Sequence, residues 1–226
     1  MNRVQKSFVY RYERMALDWL CPRVPAWVTP DMLTGFGIFG AFVTLVGYYL
    51  CRFSPNFLWL ASLGLVFHWV GDSLDGNIAR YRKIERPRYG FFLDQTIDVF
   101  GNLLICAGMG LSPYIRMDSA LLVLMGYHML TIYVLVRTVV AREFFVTLLN
   151  SGPTELRLLI ILMNALIFAF GAPAWIAFAH AFTWCDIVLA LYTIGFVCTF
   201  LYLTLSYANV LRGEDDAARE AAKREA

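Results

Sequence analysis

Long apolar stretches separated by short polar segments make up most of the chain after residue 30. A helix needs about 20 consecutive, mainly apolar residues to cross a bilayer, and six stretches reach or approach that length. They lie at about 32–50, 57–80, 90–111, 120–142, 155–170 and 182–207. The pattern therefore predicts an all-α fold, an integral membrane bundle of six transmembrane helices that occupies residues 29–210.

The two ends of the chain have a different pattern. In residues 1–28, charged residues alternate with apolar ones that recur at helical spacing, namely Val4, Phe8, Tyr12, Met15 and Trp19. This spacing predicts an amphipathic helix that lies on the membrane surface, with a plain solvated helix as the alternative. No continuous apolar run of the kind found in a cleavable signal peptide occurs there. Residues 211–226 form a charged tail, expected to be a solvated helix or disordered.

Composition and charge agree with a membrane protein. The chain is 59 % hydrophobic and 16 % charged, whereas soluble domains carry about 25 % charged residues. Its net charge of +2 gives no indication of a nucleic-acid partner. Basic residues concentrate before the first span, between the second and third, between the fourth and fifth, and after the sixth. The positive-inside rule therefore predicts that both termini are cytoplasmic.

The cysteines point to neither a disulfide framework nor a zinc site. Their number is odd, their spacings are wide, and no CxxC pair occurs. We expect free thiols that pack as small apolar side chains. The five are Cys21, Cys51, Cys106, Cys185 and Cys198.

Four carboxylates lie within or at the edge of two consecutive apolar stretches. Asp72 and Asp75 end one stretch, and Asp94 and Asp98 lie inside the next. Ionisable side chains in spanning helices are costly and usually mark a functional site. Because spacings of three and four residues place each pair on one helix face, we expect the four acids to converge on a pocket at the cytoplasmic surface.

Such a cluster of acids needs compensating positive charge, since neighbouring carboxylates repel one another. The nearest cation on the same face is Arg80, and one arginine cannot neutralise four acids. Divalent ions resolve this, and oxygen ligands favour Mg²⁺, Mn²⁺ or Ca²⁺ over zinc. Two ions would balance four carboxylates and suit phosphoryl chemistry. Nearby small residues, Gly76, Ala79 and Gly90, predict either a groove for a flat base or close helix packing.

The residues Asp72 to Arg80 and Gly90 to Asp98 resemble the signature of the CDP-alcohol phosphotransferases. That pattern is D-x-x-D-G-x-x-A-R followed by G-x-x-x-D-x-x-x-D, and all eight fixed positions are present. A weaker match is Thr29-Pro30-Asp31, similar to the T-P-N that often opens the first span. Asp31 stands where that pattern has asparagine, so this chain lacks the amide at that position.

The resemblance implies a six-span fold, usually a homodimer, with a polar cavity open to the cytoplasm. It implies two divalent cations, Mg²⁺ or Mn²⁺, held by Asp72, Asp75, Asp94 and Asp98. It implies a CDP moiety on Asp72, Gly76, Ala79, Arg80 and Gly90. Asp98 would be the general base that activates the acceptor hydroxyl, and CMP would leave.

Two further residues are candidate contacts for the acceptor or for phosphate. Arg137 either faces the cavity or extends to the membrane surface. Glu155 either reads the acceptor at the cavity mouth or stabilises the start of its helix, with Thr154 as N-cap. His68 is either a helix-interface residue or a partner of the acids, whereas His128 and His180 receive no role.

The substrates remain open at this point. In one hypothesis the donor is CDP-diacylglycerol and the acceptor is a small polar alcohol. In the other the donor is a soluble CDP-alcohol and the acceptor is a lipid hydroxyl. The Pro-Thr-Glu run at 153–155 is similar to one in eukaryotic choline/ethanolamine phosphotransferases. An acidic acceptor such as inositol phosphate would need more cavity cations, for which Arg137 and Arg142 are candidates. A cation-coupled transporter or a scaffold is disfavoured because the acids lie at one end of their helices rather than at the midplane.

Overall fold

A computed structural model of the chain describes residues 10–141, 153–177 and 180–225. Within these ranges seven α-helices, one short 3-10 helix at Cys21–Arg23 and one hairpin of two short antiparallel strands are found. The helices are α1 Tyr10–Leu20, α2 Pro30–Leu50, α3 Phe57–Tyr81, α4 Pro87–Leu111, α5 Met117–Ala141, α6 Pro153–Phe170 and α7 Trp184–Glu225. The strands are β1 Trp175–Ala177 and β2 His180–Phe182.

The described helices α2 to α7 are each long and apolar enough to cross a membrane, which makes six candidate spans. The predicted all-α, multi-pass membrane fold is therefore confirmed. The helix ends differ in detail. Helix α4 begins at Pro87, three residues earlier than predicted, because proline suits the first turn of a helix. Helix α7 runs without a break to Glu225, so the described part of the charged tail is helical.

Helix α1 is amphipathic, as its spacing predicts. Tyr12, Met15 and Trp19 are 66 %, 61 % and 58 % exposed. On the other side of the helix Leu17 is buried and packs in a cluster with Leu74 of α3. The outward apolar face is the face that a membrane surface would cover. Val4 and Phe8, which belong to the same predicted stripe, lie outside the described residues.

Helices α2 and α3 pack through glycines along most of their length. A Cβ added to Gly71 would lie 2.3 Å from the backbone nitrogen of Gly37, and one on Gly40 would lie 2.3 Å from that of His68. Such distances leave no room for any side chain, so the two backbones are in direct contact, as small residues allow in membrane helices. This close approach brings the first turns of α2 beside the last turns of α3.

Polar contacts join α6 to the same helix pair. The Tyr48 hydroxyl of α2 donates to Asn164 Oδ1 of α6 at 2.7 Å, and Asn164 Nδ2 donates to Ser62 Oγ of α3 at 3.0 Å. All three residues are buried. Because polar groups buried away from water need partners, this network fixes the register of α6 against α2 and α3. The first turns of α6 consequently lie beside the end of α3.

Candidate active site

A pocket opens at the end of the bundle where α2 and α4 begin and α3 ends. It contains both acid pairs of the signature sequence, together with side chains from α2. Its lining residues are Thr34, Gly37, Ile38, His68, Asp72, Asp75, Asp94, Ile97 and Asp98. The structure therefore brings the four predicted acids to one place.

Three of the acids form a tight cluster. Carboxylate oxygens from Asp72, Asp94 and Asp98 lie within 4.8 Å of one another, and all three residues are half-buried. Asp72 comes from the end of α3, and the other two lie one turn apart in α4. Three oxygen donors at this separation fit a divalent cation such as Mg²⁺ or Mn²⁺, which prefers carboxylate ligands.

Asp75 lies beside this cluster with its side chain already engaged. Its Oδ2 accepts a hydrogen bond from Thr34 Oγ1 of α2 at 2.7 Å, and its Oδ1 accepts one from the backbone of Gly76. The structure thus groups three of the four predicted metal ligands and places the fourth at their edge. Thr34 follows the Thr29-Pro30-Asp31 match within the first two turns of α2. Its hydrogen bond to Asp75 therefore links that weaker match to the signature.

A buried arginine from α6 contacts the cluster, and this corrects the sequence analysis. Arg157 Nη2 donates to Asp72 Oδ2 at 2.7 Å, and the two side chains are 9 % and 19 % exposed. The expectation that Arg80 is the nearest cation was therefore wrong. Arg157 lies inside the apolar stretch predicted at 155–170, four residues after the start of α6 at Pro153. Its position within an apolar run was the signal that could have revealed it.

The residues expected to contact CDP lie on the outer side of the acids. Arg80 is exposed, its Nη2 donates to Asn77 Oδ1 at 2.9 Å, and its guanidinium would lie 3.5 Å from a Cβ on Gly76. Gly90 is exposed, and a Cβ there would have no atom within 4 Å. Ala79 is half-buried. Open space at Gly90 and a guanidinium over Gly76 leave a surface that a nucleotide can approach.

Comparison with known proteins agrees with the signature. A family model described as CDP-alcohol phosphatidyltransferase matches residues 27–192, which is well over half of the chain. The chain belongs to the CDP-alcohol phosphatidyltransferase family. The match runs from the segment before α2 into the first part of α7, so it includes the whole acid cluster and Arg157.

Two curated relatives are similar over shorter stretches. A phosphatidylinositol phosphate synthase of Cutibacterium acnes is 39 % identical over 87 residues, which are 38 % of this chain and 39 % of that protein. An archaetidylinositol phosphate synthase of Pyrococcus horikoshii is 34 % identical over 104 residues, which are 46 % of this chain and 52 % of that protein. The chain thus spans only about two fifths to one half of the length of these two relatives.

Neither of the two candidate acceptor contacts is among the residues that line the described pocket. The Arg137 guanidinium of α5 stacks on the Tyr207 ring of α7, with 4.7 Å to the ring centroid, and Arg137 does not line the described pocket. Glu155 is half-buried in the first turn of α6. Thr154 is the second residue of α6 and so does not cap it. Arg142 lies outside the described residues.

Glu13 of α1 joins three helices beside the cluster, which the sequence did not reveal. Its Oε1 accepts hydrogen bonds from Thr154 Oγ1 of α6 at 3.0 Å, and from Trp69 Nε1 and Ser73 Oγ of α3 at 3.2 and 3.3 Å. Ser73 follows Asp72 directly. The contact between α3 and α6, which includes the Asp72–Arg157 pair, is called the α3–α6 seam. Helix α1 is therefore hydrogen-bonded to both helices of this seam.

Charged side chains also hold the segments that precede and follow the signature. Asp31 pairs with Arg86 Nη2 at 2.6 Å, and this hydrogen bond raises the pKa of the exposed guanidinium. The aspartate that departs from the family pattern thus links the start of α2 to the α3–α4 connection. Arg82 in the same connection donates to the backbone carbonyls of Val24 at 3.1 Å and Val28 at 2.6 Å.

His68 lies at the interface between α3 and α4, next to the acids. It is 3 % exposed, it lines the pocket, and its Nε2 would lie 2.6 Å from a Cβ on Gly101 of α4. It is therefore a helix-interface residue that also reaches the acid pocket. Its Nδ1 has no hydrogen-bond partner among the described residues. His128 lies beside the Tyr127 ring, and the side chain of His180 is outside the described part.

Proposed function

We propose that this chain is a phospholipid-synthesising enzyme that transfers a substituted phosphate from CDP-diacylglycerol to a small polar alcohol and releases CMP. The observation that carries the proposal is the cluster of Asp72, Asp94 and Asp98, whose oxygens lie within 4.8 Å inside the family signature. Family membership supports the reaction type. We further propose that residues 29–210 form the catalytic domain, with both termini and the pocket on the cytoplasmic side.

The acids would hold two divalent cations, Mg²⁺ or Mn²⁺. Asp72, Asp94 and Asp98 supply the shared set of oxygens, and Asp75 at their edge completes the four ligands that the resemblance implies. When bound, such ions neutralise phosphate charge and polarise the phosphoryl oxygens. The all-oxygen donor set supports this assignment, because zinc sites in proteins usually include nitrogen or sulfur ligands.

Asp98 is proposed as the general base. Its carboxylate takes the proton of the acceptor hydroxyl, and the acceptor oxygen attacks the β-phosphorus of the donor. The bond from the β-phosphorus to the bridging oxygen breaks, and CMP leaves with that oxygen and its electron pair. A positioned base of this kind contributes about 10² to 10⁴ in rate, and the remainder comes from orientation and charge stabilisation.

The nucleotide would lie across the outer ends of α3 and α4. Asp72, Gly76, Ala79 and Arg80 line the α3 side of this proposed subsite, and Gly90 lines the α4 side. A glycine lets a base approach the backbone closely, and the Arg80 guanidinium can pair with a phosphate oxygen. The open space at Gly90 supports this placement.

The acceptor is proposed to be an inositol phosphate. Both relatives described above are synthases whose names specify inositol phosphate lipids. An acidic acceptor requires cavity cations, and buried Arg157 adds one that the sequence analysis did not include. Arg137 and Glu155 remain candidate acceptor contacts at the α5–α7 and α6 sides. A homodimer within the membrane, as the resemblance implies, is also part of the proposal.

The test is a donor and acceptor screen on the purified full chain in detergent. With Mg²⁺ or Mn²⁺, CDP-diacylglycerol should release CMP when inositol phosphate is present, and far less with serine, glycerol phosphate or free inositol. Excess EDTA should stop release, and added Mg²⁺ should restore it. Release only from CDP-choline with diacylglycerol would replace the proposed donor, and no CMP from either donor class would refute the enzyme assignment.

A further inference from the structure

The carboxylate of Asp72 has two competing positive partners. It belongs to the cluster that would hold a divalent cation, and its Oδ2 also accepts the hydrogen bond from Arg157 Nη2 at 2.7 Å. Arg157 is 7 % exposed and comes from α6, which contributes no acid to the cluster. An ion bound by Asp72 would therefore lie close to the positive charge of Arg157.

We propose that Arg157 is a built-in counter-ion that occupies Asp72 in the ion-free protein and competes with the divalent cation for it. The inference rests on the proposed function, because it requires an ion at Asp72, Asp94 and Asp98. Arg157 then acts on the site through its ion pair with Asp72. The affinity for the ion therefore depends on a residue outside the family signature.

The electrostatics favour competition over cooperation. Without an ion, three carboxylates within 4.8 Å repel one another, and the Arg157 charge reduces that repulsion. With an ion bound, the guanidinium faces a divalent positive charge across a single carboxylate group. Arginine cannot relieve this repulsion by losing its proton. Arg157 must therefore either move away from Asp72 or weaken the binding of the ion.

The surrounding contacts indicate that ion binding would move the side chain of Arg157 and leave helix α6 in place. Thr154 lies one turn before Arg157, and its hydroxyl is bonded to Glu13, which also bonds Ser73 next to Asp72. Further along α6, Asn164 is bonded to Ser62 of α3 at 3.0 Å. Helix α6 is thus held to α3 on both sides of Arg157. A displaced guanidinium needs a new anionic partner, and the phosphates that arrive with the ion can provide one.

A purely orienting role for Arg157 predicts the opposite result. If the arginine only holds Asp72 in a conformation suited to the ion, its loss should weaken ion binding. If it competes, its loss should tighten binding while the ion-free protein becomes less stable. The sign of the change in affinity therefore separates the two roles.

The experiment measures Mn²⁺ binding to the detergent-purified full chain without nucleotide, by the electron paramagnetic resonance signal of free Mn²⁺. Arg157→Met and Arg157→Gln should each bind Mn²⁺ about tenfold more tightly than the wild type. Arg157→Lys, which keeps the charge, should bind close to the wild type. Arg52→Met, which removes an arginine at the opposite end of the bundle, should leave the affinity unchanged.

Thermal unfolding gives an independent readout. Without Mn²⁺, Arg157→Met should melt below the wild type, and the gap should narrow as Mn²⁺ is added, because the tighter complex gains more from bound ligand. If the methionine variant does not fold, Arg157→Gln keeps a hydrogen-bond donor toward Asp72 and answers the same question.

Each result has a distinct meaning. Unchanged or weaker Mn²⁺ binding by both neutral variants, with normal binding by the wild type, overturns the inference and leaves the proposed function intact. No Mn²⁺ binding by any of the proteins overturns the metal site itself, and the inference falls with it.

Discussion

Asp72 belongs to the acid cluster between α3 and α4, and its carboxylate also accepts a hydrogen bond from Arg157 of α6. The spacing of Asp72 with Asp75, and of Asp94 with Asp98, was enough to place each pair on one helix face, and the structure brings all four into one pocket. The partner of Asp72, Arg157, is 85 residues away. Periodicity describes each helix by itself, so it could not show which face of α6 meets α3.

Replacing Asp98 by asparagine tests its proposed role as base. The amide cannot accept the proton of the acceptor, so CMP release should fall by about 10² or more. CDP binding should largely survive, because the proposed nucleotide contacts lie on Asp72, Gly76, Ala79, Arg80 and Gly90. Steady-state CMP release and equilibrium binding of CDP are the two measurements.

Asp118→Asn is the matched control, since Asp118 pairs with Arg116 at the opposite end of the bundle. The control should keep wild-type turnover. Full activity of Asp98→Asn would disprove the base assignment. Loss of CDP binding together with turnover would indicate that Asp98 acts as a metal ligand and not as the base.

The helices themselves were largely predictable, because bilayer thickness sets their length and lipid sets their composition. The six apolar stretches correspond to α2 to α7, with ends shifted by a few residues. The β1–β2 hairpin was missed, since three-residue strands exist only through their pairing with each other. The full extent of α7 was also missed, because a charged helix beyond the membrane has no apolar stripe to mark where it ends.

The contact between α2 and α3 depends on glycine, and Gly71→Ala tests it. The added Cβ would lie 2.3 Å from Gly37 N and 2.5 Å from Leu33 O, both backbone atoms that cannot rotate away. The helices must separate, at a cost of about 1 to 3 kcal/mol. Thermal unfolding in detergent should show a clearly lower midpoint, and CMP release should fall because Thr34 moves away from Asp75.

Gly35→Ala on α2 provides the matched control, since a Cβ there has no atom within 4 Å. Alanine favours a helix over glycine by about 1 kcal/mol, so this variant should melt at or above the wild-type temperature. Equal midpoints for the two alanine variants would show that α2 and α3 do not pack as described.

In the described bundle, the α3–α6 seam carries polar groups at two levels. Near the pocket are Glu13 and the Asp72–Arg157 pair, and deeper in the bundle is Asn164 with Tyr48 and Ser62. Membrane proteins retain such groups where they pair with each other or serve a function. The seam thus ties the amphipathic helix α1, through Glu13, to the helices that carry the acids. The sequence identified the acids but not the contacts of the seam, because these contacts join residues that are 85 to 102 positions apart in the chain.

The proposed site requires a divalent ion at the position that Asp72, Asp94 and Asp98 share between α3 and α4. It can be checked by determining the structure of the full chain with Mn²⁺ and CDP, and recording the anomalous scattering of manganese. We expect a manganese peak bounded by the carboxylates of Asp72, Asp94 and Asp98, with the diphosphate of CDP beside it and Arg157 turned away from Asp72. Manganese peaks only outside this pocket, or CDP bound in this pocket with no ion among the three acids, would refute the proposed site.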